Sequence, residues 1–326
     1  MTKRERLLKA FDNQPVDRVP VGFWLHFVSD EDLYKIDEKP QIYDISVKAH
    51  KKFIEDVDPD FVKIMSDGYF THPLVYKLKP QTAADLYNFV PIEESDPWIT
   101  QQVALVKQIT CDLKDTSAFY NIFAPANLLR LGVGNDVFLR FMQEDPEAVA
   151  HASNAIAKDT CTLTRLVMTE GGCEGIYLSV QNPYNTYTPE QYAQYIAPSE
   201  LEVLQFANAI NDYNILHCCG YDSNKNNLSV WKDYPAKAIN WATAVEEVTL
   251  AQGKDLFGGK AVIGGFDNRA GKLLHKGSKE QIEQFTEEII AKTGKLGVIL
   301  GADCTVQRDI ALERLEWVRQ KAIELG

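Results

Sequence analysis

Three side chains that could bind a soft metal ion stand out in this sequence: His217, Cys219 and Cys304. The first two end a short apolar run, Asn214-Ile215-Leu216-His217-Cys218-Cys219-Gly220. In a β-strand, residues two apart point to the same face. His217 and Cys219 are therefore expected to project together, with Cys218 facing away. An imidazole and a thiolate on one face are part of a zinc site. Structural zinc takes four protein ligands, and catalytic zinc takes about three and keeps one position open. The expected third ligand is Cys304, which closes a second apolar run, Val298-Ile299-Leu300-Gly301-Ala302-Asp303-Cys304. The bland alternative is that each strand-end cysteine is a small buried hydrophobe. Two ligands with a distant third are also a weaker signal than paired Cys-x-x-Cys motifs.

The surrounding pattern supplies the elements that would position these groups. Residues 3–12 read as a short helix with Leu7, Leu8 and Phe11 on one face, and residues 41–55 show helical spacing. Apolar runs at 19–25, 60–65, 119–123, 175–180, 213–219, 238–242, 261–266 and 297–300 read as eight strands. Residues 71–98 read as an irregular insertion after the second strand. Helical patterns cover about 99–112, 135–143, 146–170, 189–211, 244–252, 279–293 and 307–324. Eight short apolar strands alternating with helices predict an α/β fold, a single (β/α)8 TIM barrel over residues 1–326 with an N-terminal helix and a long insertion after strand two. Such barrels run to about 250 residues before insertions and place their chemistry at the C-terminal ends of the strands. His217 and Cys219 then fall at the end of strand five and Cys304 just past strand eight. Ser66 and Asp67, Gln181 and Asn182, and Asp267 and Asn268 end other strands on the same rim. His26 ends strand one. Tyr184 and Tyr187 could cover the mouth.

Composition narrows the function. The chain has 326 residues, 45% hydrophobic and 25% charged, with a formal net charge of −12. A surface this acidic repels phosphate backbones, so nucleic acid is not an expected partner. No run of about 18 apolar residues is present, so no membrane span is expected. The start Met1-Thr2-Lys3-Arg4-Glu5-Arg6 leads into an amphipathic pattern rather than a secretory h-region. A cytoplasmic location is expected, where thiols favour metal binding or catalysis over disulfides. Of the six cysteines, Cys111, Cys161 and Cys173 lie in or beside helical stretches and are expected to be structural. His50, His151 and His275 are expected on the outer surface, and Asp303 is expected to cap the helix that follows it.

With these segments in view, the chain resembles the uroporphyrinogen decarboxylase superfamily. Within it, the chain is most similar to the zinc-dependent methyltransferases that move a methyl group from a corrinoid protein to a thiol such as coenzyme M. The segments that carry the resemblance are Arg18-Val19-Pro20-Val21, Met65-Ser66-Asp67, Ile215 to Gly220, Ile263-Gly264-Gly265-Phe266-Asp267, and Leu300 to Cys304, in family order. The His-x-Cys-Gly with a late cysteine is the specific one. The decarboxylase branch carries an arginine-rich segment after its first strand, where this chain reads Phe23-Trp24-Leu25-His26-Phe27-Val28. A substrate with many carboxylates needs cations, and guanidinium forks are their favoured partner. This departure points to the methyltransferase branch. One departure from that branch is Asp303-Cys304-Thr305, which replaces a Gly-Cys-Gly-like turn.

The resemblance implies zinc held by His217, Cys219 and Cys304, a small-molecule methyl acceptor (a thiol, or a folate-type nitrogen), and a corrinoid supplied by a separate protein. It aligns Asp67 with the pocket aspartate of the decarboxylases, which makes Asp67 the candidate catalytic carboxylate in the pocket wall. His26, Gln181, Asn182, Tyr184 and Asp267 are the candidates for orienting substrate. A metal-free tetrapyrrole decarboxylase is the alternative activity. A non-catalytic binder of a corrinoid protein or methyl donor, with packed cysteines, is a third reading.

Overall fold

The computed structural model describes residues 1–183, 186–220 and 224–326. Its centre is a parallel sheet of seven strands in sequential order: β1 (Phe61–Ile64), β2 (Ser117–Phe123), β3 (Gly175–Val180), β4 (Ile215–Cys218), β5 (Ala238–Trp241), β6 (Ala261–Phe266) and β7 (Val298–Ala302). Helices separate the strands, among them Gln41–Val57, Pro97–Thr110, Pro146–Thr169, Ala197–Ile210 and Lys279–Thr293. A parallel sheet covered by helices is buried on both faces. That is why its strands appear in the sequence as nearly unbroken apolar runs. Outward residues such as Val62, Ile64, Leu216 and Cys218 join the layer between sheet and helices. Inward residues, including Phe61, Phe119, Tyr177, Ile215, Ile263 and Ile299, form a separate inner cluster. Leu7, Ala10 and Phe11 of the first helix (Lys3–Phe11) belong to that inner cluster and pack against its lower end.

The expected first strand is the main departure. Val19–Leu25 is not a regular strand, and the regular strands number seven rather than eight among the described residues. Its backbone still runs between the two ends of the sheet. Gly22 N–H donates to the Leu300 carbonyl and Leu300 N–H to that of Pro20, while Asp60 N–H donates to Val21 on the other side. The segment makes only isolated bridges, Val21 with Leu300 and Leu25 with Val306. Pro20 has no N–H to give a ladder. Gly22 is required by crowding, since a Cβ there would lie 2.2 Å from the Phe61 ring.

Other boundaries shift in smaller ways. The insertion read as irregular holds short helices at Pro73–Leu78 and Ala83–Asn88. A helix at Pro125–Val133 had no prediction. The stretch 244–252 divides into Thr243–Glu246 and Leu250–Leu256, and the last helix begins at Glu313, not 307. No described helix is long and apolar enough to cross a membrane.

A buried ion cluster fixes the N-terminal end of the sheet. Asp60 is fully buried and accepts from Arg6 Nη1 (2.8 Å), from both Nη atoms of Arg18 (2.6 and 2.8 Å) and from Val21 N–H (2.8 Å). It joins the first helix, the irregular segment and β1 at one point.

Candidate metal centre

The strand register brings the ligand set together. His217 on β4 pairs in register with Ser179 on β3 and with Asn240 on β5. Cys219 follows the last residue of β4, and its N–H bonds to the Val180 carbonyl, continuing the ladder by one residue. Cys304 lies two residues past β7. Asp303 N–H donates to the Phe266 carbonyl, and Asn268 Nδ2 donates to the Thr305 carbonyl. Backbone is therefore tied on both sides of the thiol. The ligand atoms of His217, Cys219 and Cys304 all lie within 4.8 Å of one another.

The separations match the expected ion. Tetrahedral zinc, with sulfur at about 2.3 Å and nitrogen at about 2.05 Å, sets two sulfurs about 3.8 Å apart and sulfur about 3.6 Å from nitrogen. The two thiol sulfurs are 3.9 Å apart, and Cys304 Sγ is 3.5 Å from His217 Nε2. The Cys304 thiol is drawn well below the ordinary thiol range. The hydrogen bond with Cys219 is the largest cause, followed, against the cost of burial, by His217 and then by the cation of Lys63.

The histidine tautomer follows from its neighbours. Asn240 Nδ2 donates to the carbonyls of Ile263 (2.8 Å) and Ala302 (3.2 Å), which can only accept. Asn240 Oδ1 must therefore face the other way, where Tyr177 Oη donates to it at 2.8 Å and His217 Nδ1 lies against it. An amide oxygen only accepts. His217 Nδ1 thus carries the proton, and the Nε2 lone pair points at the thiols, as a metal ligand requires. Outer partners of this kind typically contribute 10–100-fold to metal affinity. The Asn240→Leu variant is accordingly expected to bind zinc about 10–100-fold more weakly, measured by competition with a chromophoric chelator; an unchanged affinity would show that this hydrogen bond does not set the ligand.

The other sequence candidates take different positions. Asp67 is fully buried and committed: its oxygens accept from His26 Nδ1 (2.7 Å) and Phe27 N–H (2.8 Å). The two candidates thus form a dyad, with His26 its more accessible member. Gln181 is half-buried. Asn182 is buried, and its backbone bonds to Asn226 Oδ1 and Asn227 N–H, stitching the loop after β3 to the one after β4. Asp267 is paired with Arg269 (2.7 Å), which holds its carboxyl below the usual range against the opposing effect of burial. Tyr184 lies outside the described residues.

Cys218 faces the outer layer, as strand alternation predicts, and burial pushes its thiol well up. Cys161 and Cys173 are buried and Cys111 is exposed. Asp303 does cap, but not the following helix: it accepts from Thr243 Oγ1 and Ala244 N–H (both 2.8 Å), at the start of Thr243–Glu246. His50 and His275 are buried, contrary to expectation, and His151 is exposed. His50 accepts from Met65 N–H (2.9 Å) and donates to the Ser46 carbonyl (2.7 Å), and burial lowers its pKa to about 4, so it is a neutral structural histidine.

Sequence reasoning missed Asn240, Tyr177, Asn226 and Lys63. Asn226 Nδ2 donates to the Cys219 carbonyl (3.0 Å) and to Glu246 Oε1 (2.9 Å). Asn240 and Lys63 had a visible signal: each is a lone polar residue in a buried apolar strand, where an unpaired polar group is costly.

Residues 73–324 match the family model described as uroporphyrinogen decarboxylase (URO-D). No curated protein matches the chain. Among solved structures, a methyltransferase from Methanosarcina mazei superposes with a TM-score of 0.73 at 16% identity, covering 100% of this chain and 99% of that one. A B12-independent methionine synthase from a Shewanella species, in complex with selenomethionine, gives a TM-score of 0.61 at 9% identity over 94% and 97% of the two chains. A Streptomyces cattleya GH5_18 structure in complex with GlcNAc gives 0.51 at 11% identity, over 94% and 80%. At these identities the structural likeness shows a shared TIM-barrel-like α/β fold.

Proposed function

Because the chain belongs to the uroporphyrinogen decarboxylase (URO-D) family and gathers a His-x-Cys…Cys cluster at the C-terminal end of its sheet, we propose that it is a zinc-dependent methyltransferase. It would move a methyl group between a corrinoid carried by a separate protein and a thiol or folate-type acceptor. The observation that carries this reading is the ligand set itself: two sulfurs and one deprotonated imidazole nitrogen at tetrahedral spacing, with Nδ1 of that ring already committed. His217 Nε2, Cys219 and Cys304 would hold zinc and leave a position for the acceptor. When bound, the ion would supply Lewis acidity, which keeps an acceptor thiol deprotonated at neutral pH, where a free thiol of pKa near 8.5 is only a few per cent ionised.

The chain's own groups do the rest. Asn240 and Tyr177 fix the His217 ring. Asn226 and the Val180 carbonyl fix the Cys219 backbone, and Asp303 and Asn268 flank Cys304. His26, held by Asp67, is the group that would take the acceptor's proton, with the buried carboxylate fixing its tautomer. Gln181 and Asn182 would line the acceptor's approach. On this assignment, His26→Gln lowers methyl-transfer turnover on the order of 10²-fold with zinc content unchanged; equal turnover in the two proteins would remove His26 from the mechanism.

The test is methyl transfer from methylcobalamin to a panel of thiols by the zinc-loaded chain, followed by loss of the free thiol. No transfer to any thiol, with uroporphyrinogen decarboxylated instead, would establish the alternative activity. Charge stands against that alternative. Around the expected carboxylate-binding stretch, Arg308 is paired with Asp30, and across the mouth Arg269 is paired with Asp267.

A further inference from the structure

A buried cation beside the candidate centre has no role in the scheme so far. Lys63 projects inward from β1 and is 5% exposed. Among the described residues no hydrogen bond or ion pair to its ammonium is found. The ammonium instead lies over two aromatic rings, 4.0 Å from the Tyr177 centroid and 5.1 Å from that of Trp24. Tyr177 is the same residue that donates to Asn240, and its ring centroid lies 5.5 Å from that of His217 in a tilted contact. The negative charges acting on Lys63 are Cys304, then Cys219, then Asp67. Asp67 is already committed to His26 and Phe27. Burial lowers Lys63 to about 8.

An ammonium taken out of water is costly unless a negative charge compensates it. Ring faces compensate only in part. Counting charge at the centre shows when full compensation is present. A divalent ion with two thiolates and a neutral imidazole is uncharged, which leaves Lys63 unmatched. A neutral fourth ligand keeps it so. An anionic fourth ligand makes the centre −1 and the pair neutral. We propose that Lys63 is a specificity-determining residue that makes the open position of the His217–Cys219–Cys304 centre select an anionic ligand, a thiolate, over a neutral donor. This rests on the metal reading above. It also excludes a neutral folate-type nitrogen as the preferred acceptor.

The test uses the cobalt(II)-loaded chain, whose visible absorption reports ligands entering the open position. Dissociation constants are measured at pH 7 for 2-mercaptoethanol, and for imidazole as the neutral donor, in the native chain, Lys63→Met and Lys63→Gln. In either variant, thiolate binding is expected to weaken at least about tenfold, the size of a lost partly buried charge interaction, while imidazole stays within about threefold. Azide, an anion with no proton to lose, should follow the thiolate. If both ligands weaken equally, or neither changes, the proposal is overturned while the metal reading stands. A native chain that binds imidazole more tightly than 2-mercaptoethanol overturns it without any variant. A native chain that takes up neither cobalt nor zinc overturns both.

Discussion

The Cys219→Ala variant is expected to lose its zinc. The native chain, loaded at neutral pH under reducing conditions and desalted, should carry about one zinc per chain. The variant should retain less than about a tenth of that. Removing a partner one shell outside a zinc ligand already costs 10–100-fold in affinity, and removing a ligand costs more. The loss should exceed about 10²-fold, enough to strip the ion on desalting. Cys304→Ala should behave in the same way, because its sulfur sits at zinc-bridging distance from both other ligand atoms. Cys218→Ala is the control. Its thiol lies one residue away in the chain but in the outer layer, so zinc should stay at the native level while stability falls modestly. The measurement is metal analysis by mass spectrometry with circular dichroism as the check on folding. A folded Cys219→Ala chain with full zinc would sink the ligand assignment and return the two thiols to the role of packed hydrophobes.

The second large effect is on stability. Asp60→Ala should destabilise the fold by about 3–5 kcal/mol, the usual consequence of removing one partner from a buried ion cluster. Asp60 is wholly enclosed and satisfies two guanidinium groups at once. Without it, Arg6 keeps Asp17 and Arg18 keeps only the Val19 carbonyl and solvent. A loss of that size corresponds to a fall in Tm of roughly 4–7 °C for a chain of this length, read by thermal or urea unfolding. Zinc content of the folded fraction should not change, since Asp60 precedes β1 at the end of the sheet opposite the ligands. A change below about 1 kcal/mol would mean that the two arginines find water as easily as they found the carboxylate.

Much of this was legible in the chain, for a definable reason. The runs at 175–180 and 261–266 coincide with β3 and β6 to the residue, because strands buried on both faces must be apolar throughout and carry their own boundaries. The first strand failed because Pro20 and Gly22 answer to neighbours distant in sequence. Gly22 is where β7 and β1 crowd the segment, and no local pattern records the Phe61 ring. His50 and His275 were misplaced by their polarity. The helix at Gln41–Val57 presents His50 inward, where a neutral imidazole is fully bonded between Ser46 and Met65.

The candidate site divides in the same way. The sequence by itself determined which atoms could bind a metal and that two of them share a face, because side-chain alternation along a strand is a local property with a period of two. It also determined that Cys304 falls just past the end of another apolar strand. What only the tertiary structure decided is how those atoms are prepared. The register of β4 against β5 sets Asn240 beside His217 and so decides which nitrogen carries the proton. Enclosure by β1 places the Lys63 cation within reach of the two thiols' charge. Hydrogen-bond direction and charge compensation are relations between residues far apart in the chain, and their energies exist only once the sheet has brought the partners together out of water.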